Sequence, residues 1–575
     1  MIRLLRYAKE YRKQIILGPF FKFLEAVFEL VLPLFMARLV DEGIARNNSA
    51  KVIEMALWML GLSIVGLLCA LVCQYYASIA SQGFGTVLRD QMMKHINRFS
   101  HHELNRFGTD TLITRMTNDI NQMQQALAML IRLVVRAPFL SIGSVIMAFY
   151  IDWQMGLIFL VLLPFFCLIL YLIIHYSVPL YKKVQHQLDQ LNQLVTQNLS
   201  GVRVIRAFAR TNTETAHFKE EAFDLSKVNQ RVANISALLT PSTTLIMNMG
   251  VVGLLYFGGI KVNVGHLEQG QVLALINYMN QMLLALIVVS NLVVLFTRAA
   301  ASANRINEVF DAKPSLTDPK TMIQPNEQAP LIQFDQVDFR YTEDSGLALE
   351  GISFELPEKQ ILGITGATGS GKSTLIQLIP RFYDASAGRI SVEGVDVKEW
   401  PLKQLRHEIA MVPQTAVLFT GTIRENLQWG KSDATDEECW QALDTAQASE
   451  FVKNLPEGLD TRIFENGKNF SGGQRQRLTI ARGLIRKPKV LILDDSLSAL
   501  DYQTDLDLRR ALRRDLDSAV IIISQRLRSI QDAPTILLLD NGKLIGKGTH
   551  DELMNDSSMY QRLAASQDEG GEAHE

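Results

Sequence analysis

Apolar residues follow two different patterns along this chain. Over the first 300 positions they gather into six long runs, at 14–40, 52–80, 130–150, 155–174, 238–257 and 272–296. Roughly 20 helical residues cross about 30 Å of hydrocarbon, so each run is long enough to span a membrane. Beyond position 331 the runs shorten to strand length and alternate with polar helical stretches and Gly-rich turns. The pattern predicts an all-α membrane domain of six helices at 1–310, a linker at 311–330, an α/β domain at 331–564 and a tail at 565–575.

The segments between the runs fix the topology. Those at 81–129 and 175–237 are too long for turns and read as helices continuing below the bilayer, each presenting a tip. In the first, Gly108 breaks a helical pattern, with Arg115 and Asp119 one turn apart after it; in the second, Gly201 precedes an apolar and basic stretch. With the N-terminus inside, the cytoplasmic segments carry about eighteen Lys and Arg and the external loops about three, as the positive-inside rule requires. The start, MIRLLRYAKEYRKQ, lacks the basic, short apolar and small-residue regions of a signal peptide, so a cytosolic N-terminus is expected. Within it Ile2, Leu4, Leu5, Ala8 and Tyr11 interleave with Arg3, Arg6, Lys9 and Arg12, the pattern of a short amphipathic helix on a membrane surface.

Ionisable residues inside apolar runs are costly and therefore informative. Lys22, Glu25 and Glu29 share one face of the first run, and Lys22 can pair with Glu25. Glu29 then either meets Arg132 or Arg136 at the start of the third run, or faces a central cavity with Glu25 and favours cationic amphiphiles. Composition agrees with a divided chain: 20% of residues are charged, against roughly 25% in soluble domains. About 43 of them fall in the first 300 positions and about 73 in the rest. A single soluble globule is excluded, and a net charge of −2 supplies no field that would recruit nucleic acid. Cys69, Cys73, Cys167 and Cys439 show no CxxC or disulfide spacing and read as packing residues.

After Arg298 the chain turns polar and passes through the Pro-rich stretch DAKPSLTDPKTMIQPNEQAP, a domain boundary. In ILGITGATGSGKSTLIQLI a strand, a Gly-rich turn and a helix start carry Gly366, Ala367, Thr368, Gly369, Ser370, Gly371, Lys372, Ser373 and Thr374, matching G-x-x-x-x-G-K-[ST]. Such a loop wraps phosphates with backbone N–H groups, its Lys reaches the β and γ phosphates, and its Ser ligates Mg²⁺. KVLILDDSLSALD adds a buried strand ending in Asp494, which can hold Mg²⁺ directly or through water. Between them, Phe470, Ser471, Gly472, Gly473 and Gln474 precede a helix whose N-terminus can face a phosphate.

With that pentad the sequence resembles the ATP-binding cassette exporters over essentially its full length, one membrane domain and one nucleotide-binding domain per chain. The resemblance implies that Tyr341 stacks on adenine, that Gln414 senses Mg²⁺ and the attacking water, and that Ser471, Gly472, Gly473 and Gln474 are the signature that contacts ATP. It also implies that Glu465 and Gly467 touch the membrane domain, that Ser498 to Asp501 form the D-loop, and that the two excursions are coupling helices docking on nucleotide-binding domains. ATP and Mg²⁺ are the expected cofactors.

Two positions depart from the family pattern. Asp495 stands where the family has the Glu that polarises the attacking water, and Gln525 where it has a His that contacts the γ-phosphate. A carboxylate arm one methylene shorter misplaces the base, and a misplacement of about 1 Å can cost about a hundredfold in rate. Asp495, Gln525 and Gln414 are thus the catalytic positions of a site that binds ATP and turns it over weakly. In the family, two chains sandwich two ATPs head to tail, so the expectation is a heterodimer whose partner, a second half-transporter, supplies the Glu and the His. The activity expected is ATP-driven export of lipophilic or amphipathic compounds, multidrug in character, from a multi-pass position in the plasma membrane among its lipids. A lipid or peptide exporter, or an ATP-gated channel or regulatory subunit, are the alternatives. An importer fits less well, because its domains usually lie on separate chains.

Overall fold

The computed structural model describes residues 2–319, 324–326, 328–515 and 517–568. Linker positions 320–323 and 327 and the acidic tail from 569 lie outside the described residues; the final helix, Ser558–Asp568, takes up the first positions expected as tail. The chain forms two compact units, one of Met1–Asn97 with Thr109–Ala312, the other of Arg98–Gly108 with Lys313 onward. A single boundary near 310 is therefore incomplete, because the tip of the first excursion belongs with the second unit.

The first unit is all helical. Its helices are α1 (Arg12–Arg38), α2 (Ser49–Ile96), then, after the tip helix α3 (His101–Phe107) of the other unit, α4 (Thr109–Thr114), α5 (Ile120–Met129), α6 (Arg136–Ile151), α7 (Trp153–Ser200), α8 (Val202–Ala207), α9 (Thr211–Ala237), α10 (Leu239–Asn263) and α11 (Gln269–Asp311). Among the described residues five helical stretches are long and apolar enough to cross a membrane, Ser49–Ile96, Thr109–Ile151, Trp153–Ser200, Thr211–Asn263 and Gln269–Val289. The sixth expected run forms α1, whose 27 residues reach about 40 Å, but Lys22, Glu25 and Glu29 lower its apolarity.

Both excursions are helical, as their patterns require. α2 and α7 run 48 residues each, about 72 Å, far beyond a 30 Å hydrocarbon layer. Gly108 adopts φ +73° and separates α3 from α4, while Gly201 ends α7. Behind Gly108, Arg115 and Asp119 anchor the first excursion to α11: Asp119, fully buried, accepts from Ser302 Oγ and Arg305 Nε at 2.9 Å each, and Arg115 donates to Glu308 at 2.9 Å. The N-terminal segment Ile2–Tyr11 is a 3₁₀ helix rather than an α-helix. Its Leu4 and Ala8 are buried within the protein, and Tyr7 stacks on Phe310 with ring centroids 5.5 Å apart. Cys69, Cys73 and Cys439 pack inside, but Cys167 is exposed on α7, a correction that follows from the apolar outer surface a membrane helix presents.

The second unit is built on three sheets whose strands are β1 (Ile332–Phe339), β2 (Leu349–Leu356), β3 (Ile361–Gly366), β4 (Ala387–Val392), β5 (Val395–Asp396), β6 (Ile409–Val412), β7 (Gly421–Thr422), β8 (Arg462–Ile463), β9 (Val490–Asp494), β10 (Ala519–Ile523), β11 (Thr535–Asp540) and β12 (Lys543–Gly548). The main sheet has the order β12-β11-β3-β10-β9-β6, parallel except for the β12 edge; β2-β1-β4-β5 form an antiparallel sheet, and β7-β8 a short ribbon. β9 and β10 are buried at every position, which explains their uninterrupted Val, Leu and Ile runs. Their residues alternate between two cores: Leu491, Leu493, Val520 and Ile522 pack on one face, Val490, Ile492, Ile521 and Ile523 on the other. The central strands β3, β9 and β10 are thus held from both sides, and their C-terminal ends carry the chemistry.

Candidate nucleotide-binding site

β3 lies between β11 and β10 and ends at Gly366, followed by the loop to Gly371 and the helix Lys372–Leu378. Gly366 has φ +148°, and a Cβ there would stand 2.1 Å from the Leu539 carbonyl oxygen, so the close approach of β11 demands glycine. Lys372 is buried, with Nζ donating to the carbonyls of Gly366 at 2.9 Å and Ala367 at 2.7 Å. Burial pushes its ammonium below the ordinary range, against the pull of Asp495 and Asp494. The loop opens on a cleft of about 420 Å³ lined by Tyr341, Ala348, Gly369, Lys372, Thr374 and Asn541.

Asp494 ends β9 beside this loop, and Ser373 Oγ donates to its Oδ1 at 3.2 Å. Burial raises the Asp494 carboxyl above the usual carboxylate range, opposed by the Ser373 hydrogen bond and Lys372 and reinforced by Asp495. Asp495 is also raised by burial, opposed first by the hydrogen bond that Gln414 Nε2 donates to its Oδ2 at 3.1 Å. Its backbone is left-handed, φ +47°, with its N–H on the Ile523 carbonyl at 3.0 Å. The two neighbouring carboxyls, one beside the Ser373 hydroxyl and the other beside the Gln414 amide, form an oxygen-rich cluster of the kind that suits a divalent cation. Gln525 is exposed, and its backbone carbonyl accepts from Gln567 Nε2 at 2.8 Å.

The signature forms a capping box. Ser471 Oγ accepts from the Gln474 N–H at 3.3 Å and Gln474 Oε1 from the Ser471 N–H at 2.9 Å, opening the helix Gly472–Leu484. Among the described residues none of Ser471, Gly472, Gly473 and Gln474 hydrogen-bonds to the 366–374 loop. Phe470 is buried behind them in the core.

Tyr341 is 41% exposed at the mouth of the cleft, its hydroxyl 2.9 Å from Thr374 Oγ1. One neighbour was missed by sequence reasoning: Tyr383, whose ring meets Tyr341 edge-on with centroids 5.4 Å apart. The Tyr383 hydroxyl accepts from Asn105 Nδ2 of α3 at 2.9 Å, and His101 of α3 lies against Phe382 at 4.4 Å. An aromatic path thus joins the cleft to the tip of the first excursion. Its sequence signal is the RFY that follows the Lys372–Leu378 helix.

In the membrane unit, the carboxylates proposed as contacts for cations both hold protein cations. Lys22 Nζ donates to Glu25 at 2.7 and 2.8 Å, and Arg136 to Glu29 at 2.8 and 3.0 Å. Of the two arginines open to Glu29 in the sequence, Arg136 is the one that pairs.

A phosphate-wrapping loop, a paired Ser and Asp, and a capped signature helix, on this sheet order and joined to a helical membrane unit, define an ATP-binding cassette transporter. The chain belongs to that family: residues 15–286 match the model of the ABC transporter transmembrane region and residues 349–498 that of the ABC transporter domain. It is an ABC-type transport ATPase. An uncharacterized ABC transporter ATP-binding protein of Mycobacterium tuberculosis is 36% identical over 99% of this chain and 98% of its own. The ATP-dependent lipid A-core flippase of Chromobacterium violaceum is 31% identical over 98% and 96%. A protein of Bacillus subtilis named "Probable multidrug resistance ABC transporter ATP-binding/permease protein YheI" is 33% identical over 82% and 81%. The fold is that of a bacterial Atm1-family ABC exporter solved with ATP bound, with a TM-score of 0.81 at 24% identity over 97% of this chain and 98% of that one.

Proposed function

We propose that this chain is one half of a heterodimeric exporter in the plasma membrane, with its N-terminus and nucleotide-binding unit in the cytoplasm. It drives lipophilic or amphipathic compounds outward at the expense of ATP, with multidrug export as the leading reading. The observation that carries the heterodimer is the pairing of a complete phosphate loop with Asp495 and Gln525 at the two catalytic positions. Asp495 is tied to Gln414 and the uncharged Gln525 side chain points to solvent, so this side of the site binds ATP and hydrolyses it weakly. The capped signature, which among the described residues makes no hydrogen bond to its own phosphate loop, is on this reading the half-site offered to a partner that brings Glu and His.

Ser373 and Asp494 are the oxygen ligands that would hold Mg²⁺, with Gln414 bonded to the adjacent Asp495 as the third group proposed for the ion. Bound there, the ion would neutralise phosphate charge. Lys372 orients the β and γ phosphates, Tyr341 seats the adenine, and Gln414 and Asp495 position the attacking water. Domain bounds of 1–310 and 331–564 go with this reading, with residues 98–108 grouped with the second unit.

A second chain is also favoured by α8, at the tip of the second excursion. No residue of α8 is buried; Val204 within it is 60% exposed and Phe208, just after its end, 75%. α7 carries them far outside the hydrocarbon, so this apolar surface needs protein to cover it. Lipid export by the same machinery is the second reading, favoured by the lipid A-core flippase among the relatives.

The test is ATP binding and hydrolysis by the chain alone in lipid, with Asp495→Asn as control, then repeated with candidate partner half-transporters. Tight binding with negligible turnover, restored by a partner, is expected. Robust turnover by the chain alone that Asp495→Asn abolishes would identify a homodimer. In the assembled pair, drug-stimulated ATPase separates multidrug from lipid export, and an ATP-dependent ionic current would identify a channel.

A further inference from the structure

The membrane unit places three cations and two carboxylates together inside its apolar segments, Lys22, Glu25 and Glu29 on α1 with Arg132 and Arg136 on the far side. Lys22 with Glu25 and Arg136 with Glu29 consume both carboxylates. Arg132 is left over. Among the described residues it makes no ion pair or hydrogen bond, and its Nε is buried without an acceptor.

Its surroundings give it no counter-ion. Arg132 sits in a π-helical turn, Leu130–Val134, the kind of widened turn often found at functional sites. α1 approaches that turn closely: a Cβ on Gly18 would stand 2.6 Å from Ile131 Cγ2. Next to it, Arg136 Nε is likewise buried without an acceptor and lies 4.0 Å from Glu25. Gln281 of α11 donates to the Glu29 carbonyl at 3.2 Å. Two guanidinium groups one turn apart therefore keep donors in reserve in a region that is otherwise apolar, with one positive charge in excess. Arg132 is half-buried, and a guanidinium whose Nε is buried without an acceptor is costly in such surroundings.

We propose that Arg132, supported by Arg136, forms a subsite for the anionic headgroup of an amphiphile, a phosphate or carboxylate whose acyl chain stays in the apolar region. Guanidinium matches such oxyanions with forked hydrogen bonds, and an anion cancels the excess charge. This reading reverses the preference for cationic amphiphiles suggested by Glu25 and Glu29 alone, because the cations of the cluster outnumber them. It rests on the export reading only in making the bound amphiphile a transported or regulatory ligand; binding itself does not depend on it.

The experiment is equilibrium binding of labelled dodecyl phosphate to the full chain in phosphatidylcholine nanodiscs, with ATP affinity measured in parallel. Arg132→Gln is expected to weaken binding about tenfold or more, with Arg132→Lys in between and ATP affinity unchanged in both. Unlabelled dodecyl phosphate should compete, dodecyltrimethylammonium should not, and inorganic phosphate should compete far more weakly than the lipid-like ligand. Wild-type binding by Arg132→Gln, equal competition by the cationic detergent, or equal competition by inorganic phosphate would each overturn the proposal. A failed transport assay with these results intact would count against the export reading alone.

Discussion

The tips of the two excursions are built from the same kind of short helix and finished in opposite ways. α3 is closed within its own unit: Ser100 and Glu103 form a capping box, Ser100 Oγ meets Ser315 Oγ at 2.8 Å, Asn105 holds Tyr383 and His101 rests on Phe382. α8 has no buried residue and presents Val204 and Phe208 to solvent. Two elements of equal rank therefore differ in where their contacts are made. One makes its contacts within this chain, and the other leaves its apolar side chains exposed; on the heterodimer proposal, α8 is the reporter of assembly and α3 of communication inside the chain.

That contrast can be broken at several points. The largest effect is expected from Val204→Asp with Phe208→Asp, which should weaken assembly with the partner by about 2 kcal/mol or more, roughly thirtyfold. Native mass spectrometry would show it, with ATP affinity of the chain unchanged. Next, Tyr383→Phe removes the bond from Asn105 and should cost about 1 kcal/mol, read as a fall in substrate stimulation of ATPase in the assembled pair at unaltered ATP affinity. An equal loss of ATP affinity would assign Tyr383 to the cleft instead.

Glu103→Gln comes third, at about 1 kcal/mol of thermal stability. Burial raises the Glu103 carboxyl, but bonds from Ser100 and Ser315 outweigh it and hold it below its ordinary 4.5. A depressed carboxyl stabilises the fold above its unfolded pKa and loses that contribution as pH falls through the folded value. The melting temperature of the wild type should therefore fall more steeply below about pH 4.5 than that of Glu103→Gln. The smallest change, Ser315→Ala, should cost about 0.5 kcal/mol, and the matching substitutions on α8 should leave melting untouched.

How much of this was legible in the sequence depends on the range of the interaction. The 366–374 loop, Asp494 and the Ser471–Gln474 cap are local patterns, and each folds where its spacing placed it. The buried strands showed themselves as unbroken apolar runs. Tyr383 did not, because its partner Asn105 lies 278 positions away and neither residue is unusual in its own stretch. The choice between Arg132 and Arg136 for Glu29 was undecidable from spacing, since one turn separates them and packing selects between them. The place of residues 98–108 was hidden for the same reason: a helical excursion reads as part of the domain it leaves, and only tertiary contacts show what it joins.

α11 has a mechanical consequence. Its 43 residues make a rod of about 64 Å, with no Pro inside. Near one end the Gly270 N–H is held by Asp41 Oδ1 at 2.6 Å, and near the other Ser302 and Arg305 are fastened to Asp119. A rod clamped at both ends passes on displacement by pivoting with its neighbours. The clamps at Gly270 and Arg305 lie about 52 Å apart, so a pivot of about 6° about one moves the other by about 5–6 Å, close to one helical pitch. Lever length, set simply by the number of residues between the clamps, is thus a gear ratio, and inserting or deleting a turn of α11 would change the stroke without touching a single site residue.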